Sequence, residues 1–134
     1  MRILTMISGI CLLLAVSCVD EVSEPKVQLS DPEDYNMKII PENPTISEDI
    51  KLVIFNDCTY NVLSGVTRNG NKIDIQKQFN SMMKWPCIAK NDTILIGKLP
   101  EGNYTVNYKL LDTSTQVTDP VSISFTFILP VAKQ

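Results

Sequence analysis

The stretch TILIGKLPEGNYTVNYKLL, residues 93–111, decides the fold class. It opens with Thr93, Ile94, Leu95 and Ile96, an apolar run too short for a helix and rich in β-branched side chains, and Pro100-Glu101-Gly102 then breaks it. Beyond Gly102 the alternation is strict. Tyr104, Val106, Tyr108 and Leu110 fall on one face, and Thr105, Asn107 and Lys109 fall on the other. This predicts a first hairpin, two strands joined by a tight connection, the second with one buried and one solvated face.

Working outward, Tyr35, Met37 and Ile39 alternate with polar residues ahead of Pro41, Asn43 and Pro44, which suits a first edge strand. Residues 50–56 are almost continuously apolar, as in a central strand covered on both sides. Residues 62–68 and 72–79 flank Asn69-Gly70, a dipeptide suited to a hairpin turn whose two central residues both take positive φ. Residues 121–129 alternate again, with Val121, Ile123, Phe125, Phe127 and Leu129 on one side. About seven strands with regular turn signals predict an all-β, antiparallel sandwich. The main ambiguity is residues 76–84, which leave room for a helical turn after the strand.

Leu99, Gly102 and Tyr104, spaced L-x-x-G-x-Y, resemble the corner before the sixth strand of immunoglobulin-like domains, where a Tyr hydroxyl ties the corner to nearby backbone. Over residues 35–130 the chain resembles small immunoglobulin-like domains on secreted bacterial proteins. It lacks the Trp-flanked Cys spacing of antibody domains.

A chain of 134 residues has room for one domain. Fifteen acidic and twelve basic residues give a net charge of −3, with the basic ones scattered, so no nucleic acid partner is expected. The absence of histidine removes the commonest general base and transition-metal ligand. No cofactor, no metal and no enzymatic activity are expected. An enzyme built on carboxylates such as Glu33 and Asp34 or Glu48 and Asp49 would need a pocket that the linear sequence does not offer.

Residues 1–17 carry Arg2, an apolar run from Ile10 to Val16, and then Ser17-Cys18 before charge begins at Asp20. This reads as a secretory signal, too short for a permanent span. Leu14-Ala15-Val16-Ser17-Cys18 resembles a bacterial lipobox, with Ala15 where Leu is usual. The resemblance implies that Cys18 is acylated and becomes the mature N-terminus, anchoring the protein to a membrane through its lipid. Ala15-Val16-Ser17 also fits ordinary signal cleavage, which would release a soluble protein beginning at Cys18. Val19-Asp20-Glu21 resembles the acidic signal of surface-exposed lipoproteins of Bacteroidota, which implies an outer-membrane, cell-surface location. Residues 18–34, polar and acidic, are expected to form a tether of roughly 20 to 25 Å, leaving 35–134 as the immunoglobulin-like domain.

With Cys11 in the signal and Cys18 assigned to lipid, export leaves Cys58 and Cys87 to form a disulfide. That bridge would clamp the loop Asn80-Ser81-Met82-Met83-Lys84-Trp85-Pro86-Cys87. Met82, Met83 and Trp85 suit a recognition loop for a protein or glycan partner. They also suit a lid, with Trp85 and one Met covering the open end of the core. Asp57, Asn91, Asp92, Asp112 and Asp119, expected in turns, offer oxygens to calcium but form no calcium-loop motif.

The sequence therefore points to a lipid-anchored envelope protein with a non-catalytic immunoglobulin-like binding module. The alternative is a loop-inserting protease inhibitor. Asn43-Pro44-Thr45 and Trp85-Pro86 resemble the loop motifs of chagasin-like inhibitors.

Overall fold

A computed structural model describes residues 28–84, 86–114 and 118–134. Among these are seven strands: β1 (Met37–Ile40), β2 (Ile50–Cys58), β3 (Val62–Asn69), β4 (Lys72–Phe79), β5 (Ala89–Gly97), β6 (Gly102–Asp112) and β7 (Val121–Val131). A three-stranded sheet, β1-β2-β5, faces a four-stranded sheet, β3-β4-β6-β7. The protein is an all-β sandwich.

The core lies between the inward faces and follows the period of two. Ile50, Leu52 and Ile54 of β2 meet Ile73 and Ile75 of β4, Tyr104, Val106, Tyr108 and Leu110 of β6, and Phe125, Phe127 and Leu129 of β7, all buried. Each such aliphatic side chain contributes about 1.5–3 kcal/mol by leaving water. Tyr108 and Phe125 stack with centroids 5.2 Å apart, and Tyr35 stacks on Phe125 at 4.1 Å. The alternation read in β6 and β7 is the alternation observed.

Four expectations need correction. The first is that β5 and β6 form no hairpin: β5 pairs with β2, and β6 pairs with β4 and β7 in the other sheet. The residues 98–101 cross from sheet to sheet at a corner. There the Tyr104 hydroxyl donates to the Pro100 carbonyl at 2.9 Å, the tie expected from L-x-x-G-x-Y. The second concerns strand direction. Because the chain visits the opposite sheet as β5 between β4 and β6, those two neighbours run parallel, whereas every other named pair is antiparallel.

The third is that β2 is central in its sheet but covered on one face only; Lys51 and Phe55 are exposed. The fourth is that the β3–β4 turn sits one residue later than expected. Asn69 still pairs with Lys72, so Gly70 and Asn71 occupy the turn, and Gly70 alone takes a positive φ, 58°. That is the demand of the hairpin class with one left-handed residue at its first central position. After Phe79 the chain turns without entering a helix.

The domain also begins earlier than residue 35. Leu29 bridges Thr126 of β7, the Ser30 N–H donates to the Thr126 carbonyl at 2.8 Å, and Pro32–Tyr35 forms a 3₁₀ helix. Asp31 caps that helix by accepting from the Glu33 N–H at 3.0 Å. Pairing of Leu29 and Ser30 with β7, and the 3₁₀ helix that follows, thus take residues 29–34 out of the expected tether. Cys18 and residues 1–17, read above as a signal, lie outside the described residues.

Candidate functional site: a buried lysine between two aspartates

Inward positions on β4 fall at Ile73, Ile75 and, by the same alternation, Lys77, whose side chain is 0% exposed. An isolated ammonium there would be prohibitively costly, so it must be paired. Lys77 Nζ donates to Oδ2 of Asp57, on β2, and to Oδ2 of Asp92, on β5, the latter at 2.5 Å. The lysine therefore spans the sandwich, reaching from one sheet to two strands of the other.

Asp57 reaches this interior through a break in parity. Ile50, Leu52 and Ile54 set the inward positions of β2, and Asp57 is out of step with them. A register shift between Ile54 and Asp57, with Asn56 left-handed at φ 54°, restores the inward direction. Asn is among the few non-glycine residues that adopt this conformation readily. Asp92 needs no such device, since it shares the inward face of β5 with Ile94.

Each of the four carboxylate oxygens has a protein donor. Oδ1 of Asp57 accepts from Asn61 Nδ2 at 2.7 Å and from the Cys58 N–H at 3.0 Å, while Oδ2 faces Lys77. Oδ1 of Asp92 accepts from the Thr93 N–H at 2.9 Å. Hydrogen bonding from Lys77 holds the Asp92 carboxyl below the usual carboxylate range, against the opposing effect of burial. Burial pushes the Tyr108 hydroxyl well above the usual tyrosine range, and the negative charges of Asp57 and Asp92 push it further. Removing one partner of a buried ion pair costs about 3–5 kcal/mol. With Lys77 sealed from solvent, the chemistry available here belongs to these side chains alone.

Beside this cluster lies the clamp. Cys58, the residue after Asp57, is bonded to Cys87 as the sequence predicted, with Cα atoms 5.2 Å apart. The loop's other end is pinned by Asp112, which accepts from the Ser81 N–H at 3.1 Å and the Ser114 N–H at 2.9 Å. Hydrogen bonding from Ser81 and Ser114 holds the Asp112 carboxyl below its usual range. Met82 and Met83 are 51% and 53% exposed, and Ile88 is 64% exposed, so neither methionine covers the core. Trp85 lies outside the described residues.

The remaining candidates are dispersed. Asp57, Asn91, Asp92 and Asp112 sit in strands rather than turns, and each carboxylate among them already serves protein donors. Pro44 is buried, and its carbonyl accepts from the Ala132 N–H at 3.0 Å, so Asn43-Pro44-Thr45 is held against the end of β7 rather than projected. A shallow groove of about 400 Å³ between the 3₁₀ helix, β1 and β7 is bordered by Asp31, Glu33, Lys38 and Glu42. Its three carboxylates are exposed, and one oxygen of Asp31 is committed to the helix cap.

Sequence reasoning placed Asp57 and Asp92 among loose turn acids and passed over Lys77. The signal was there in part: Ile73, Ile75 and Lys77 put a cation on the apolar face of a strand. Comparison with family models, with curated proteins and with solved structures found no match.

Proposed function

We propose that this protein is a lipid-anchored component of the bacterial envelope, held at the outer membrane through an acylated Cys18, whose sandwich is a non-catalytic module for binding a protein or glycan partner. The N-terminal residues support the anchor, through the apolar run that ends at Ser17-Cys18. The acidic Asp20-Glu21 behind it supports display at the cell surface.

One observation carries the binding role: Met82 and Met83 stand exposed on a segment fixed at one end by Asp112 and at the other by the Cys58–Cys87 bridge, with Ile88 exposed just beyond it. Methionine adapts to irregular partner surfaces, and a backbone already pinned loses little freedom on docking. Such a loop gains more from contact than an equally apolar flexible one.

The test has two parts. Intact mass of the protein extracted from membranes of its native host is expected to show a lipid adduct on Cys18; an unmodified chain beginning at Cys18 would mean a secreted soluble protein. Crosslinking in the native envelope is then compared between wild type and Met82→Ala/Met83→Ala. An unchanged partner profile would remove this loop as the binding site.

A further inference from the structure

The buried triad is arranged for a reaction as well as for an ion pair, and we propose that Lys77 and Asp57 condense to an intramolecular amide, with Asp92 carrying the protons.

Each requirement of that condensation has a residue in place. The nucleophile is Lys77 Nζ, fully buried and in contact with Oδ2 of Asp57, so the reacting groups are held together in a water-poor interior. The electrophile is Cγ of Asp57. Its other oxygen, Oδ1, accepts from Asn61 Nδ2 and the Cys58 N–H, at 2.7 and 3.0 Å. Two donors on one carboxyl oxygen polarise the group and stabilise the negative charge that gathers there when the carbon is attacked. The proton carrier is Asp92, whose Oδ2 lies 2.5 Å from the same Nζ.

The step balances without any further reactant. A proton passes from the Lys77 ammonium to Oδ2 of Asp57, giving amine and carboxylic acid and removing two buried charges. Nζ then bonds to Cγ while the electron pair of the Cγ–Oδ1 double bond moves onto Oδ1. Asp92 takes a proton from the attacking nitrogen and passes it to Oδ2. The Cγ–Oδ2 bond breaks, water leaves, the Oδ1 carbonyl re-forms and Asp92 is again a carboxylate. Asp92 is 29% exposed, which gives the released water a route outward. The product is an amide between β2 and β4, hence between the two sheets, adjacent to the disulfide that already holds the end of β2.

Peptide mapping of the reduced, alkylated full-length chain tests this. Trypsin releases residues 52–68, containing Asp57, and 73–77, ending in Lys77, as separate peptides if the pair is only ionic. The amide blocks cleavage after Lys77, so the expected product is a branched peptide joining 52–68 to 73–84, lighter than the two by one water, with fragment ions placing the branch at Asp57 and Lys77. Recovery of linear 52–68 and 73–77 from wild type overturns the proposal. A branch to residues 91–98 instead overturns the choice of Asp57 as acyl donor. Asp92→Asn is expected to give the linear peptides while retaining the Cys58–Cys87 bridge as evidence of folding; an Asp92→Asn chain as fully branched as wild type overturns the proton-carrying role. Asp57→Asn is expected to yield the same branched peptide by losing ammonia in place of water, and Asp57→Ala none.

Discussion

Asn56, left-handed at φ 54°, turns Asp57 onto the face of β2 that Ile50, Leu52 and Ile54 already occupy. One backbone conformation thus decides whether an acid meets water or Lys77. Asn56→Gly keeps that conformation at no steric cost and is expected to change stability by only a few tenths of a kcal/mol. Asn56→Val, β-branched at positive φ, is expected to cost about 1–2 kcal/mol. Denaturant midpoints at unchanged m value check both, and equal midpoints for the two variants would show that the left-handed residue is not what aims Asp57.

The corner between β5 and β6 rests on one side-chain tie. Tyr104 is buried, and its hydroxyl reaches the Pro100 carbonyl at 2.9 Å. Tyr104→Phe keeps the ring in the core and removes that bond, for an expected loss of about 1 kcal/mol. Urea unfolding measures it. A variant as stable as wild type would reduce the tie to an accident of packing.

How legible this molecule was depends on whether periodicity or long-range pairing carried the information. The alternation in β6 and β7 and the L-x-x-G-x-Y corner are local, and they read correctly. Partner choice is not local. Nothing in the alternation of residues 93–111 says that β5 joins β2 rather than its neighbour in sequence, because a short breaker serves a hairpin and a sheet-crossing corner equally well; only the resemblance carried by Leu99, Gly102 and Tyr104 points to the corner. The site failed to show for a related reason. Lys77 was visible as a cation in phase with Ile73 and Ile75, but Asp57 is out of phase with its own strand, and only the irregularity at Asn56 turns it inward. A period count cannot foresee a bulge, and by position in sequence Asp57 is no different from a solvated turn acid.

The disulfide closes a 29-residue separation between the end of β2 and the loop ahead of β5. In the chain-entropy treatment such a closure stabilises the fold by about 3.5 kcal/mol. Replacing both cysteines, Cys58→Ala with Cys87→Ala, is expected to lower stability by that order and to loosen residues 80–88 first, visible as faster amide exchange there than in β6. Uniform exchange across the domain would mean that the bridge does not act as a loop clamp.

Met82 and Met83 spend their surface on water rather than on the core. Met82→Ser with Met83→Ser is therefore expected to leave stability within about 0.5 kcal/mol of wild type. Thermal unfolding checks this. A large loss would identify the pair as structural and shift the binding proposal away from this loop.

Tyr108 supplies the pH dependence. Its hydroxyl holds its proton above the ordinary value of 10.0, first because it is buried and then because the carboxylates of Asp57, where it has not condensed with Lys77, and Asp92 lie near. Above about pH 10 the native state therefore keeps a proton that the unfolded chain releases. The stability this contributes is complete below that pH and is lost as the pH rises toward the raised folded value. Tyr108→Phe is expected to flatten that alkaline loss, so its unfolding free energy falls less steeply than that of wild type above about pH 10. Phenolate absorbance gives the second reading: below the unfolding transition, wild type and Tyr108→Phe are expected to titrate with equal amplitude, because Tyr108 contributes nothing until the sandwich opens. A smaller native-state amplitude in the variant would show that Tyr108 ionises in the folded protein and that the interior beside Lys77 is wetter than its burial indicates.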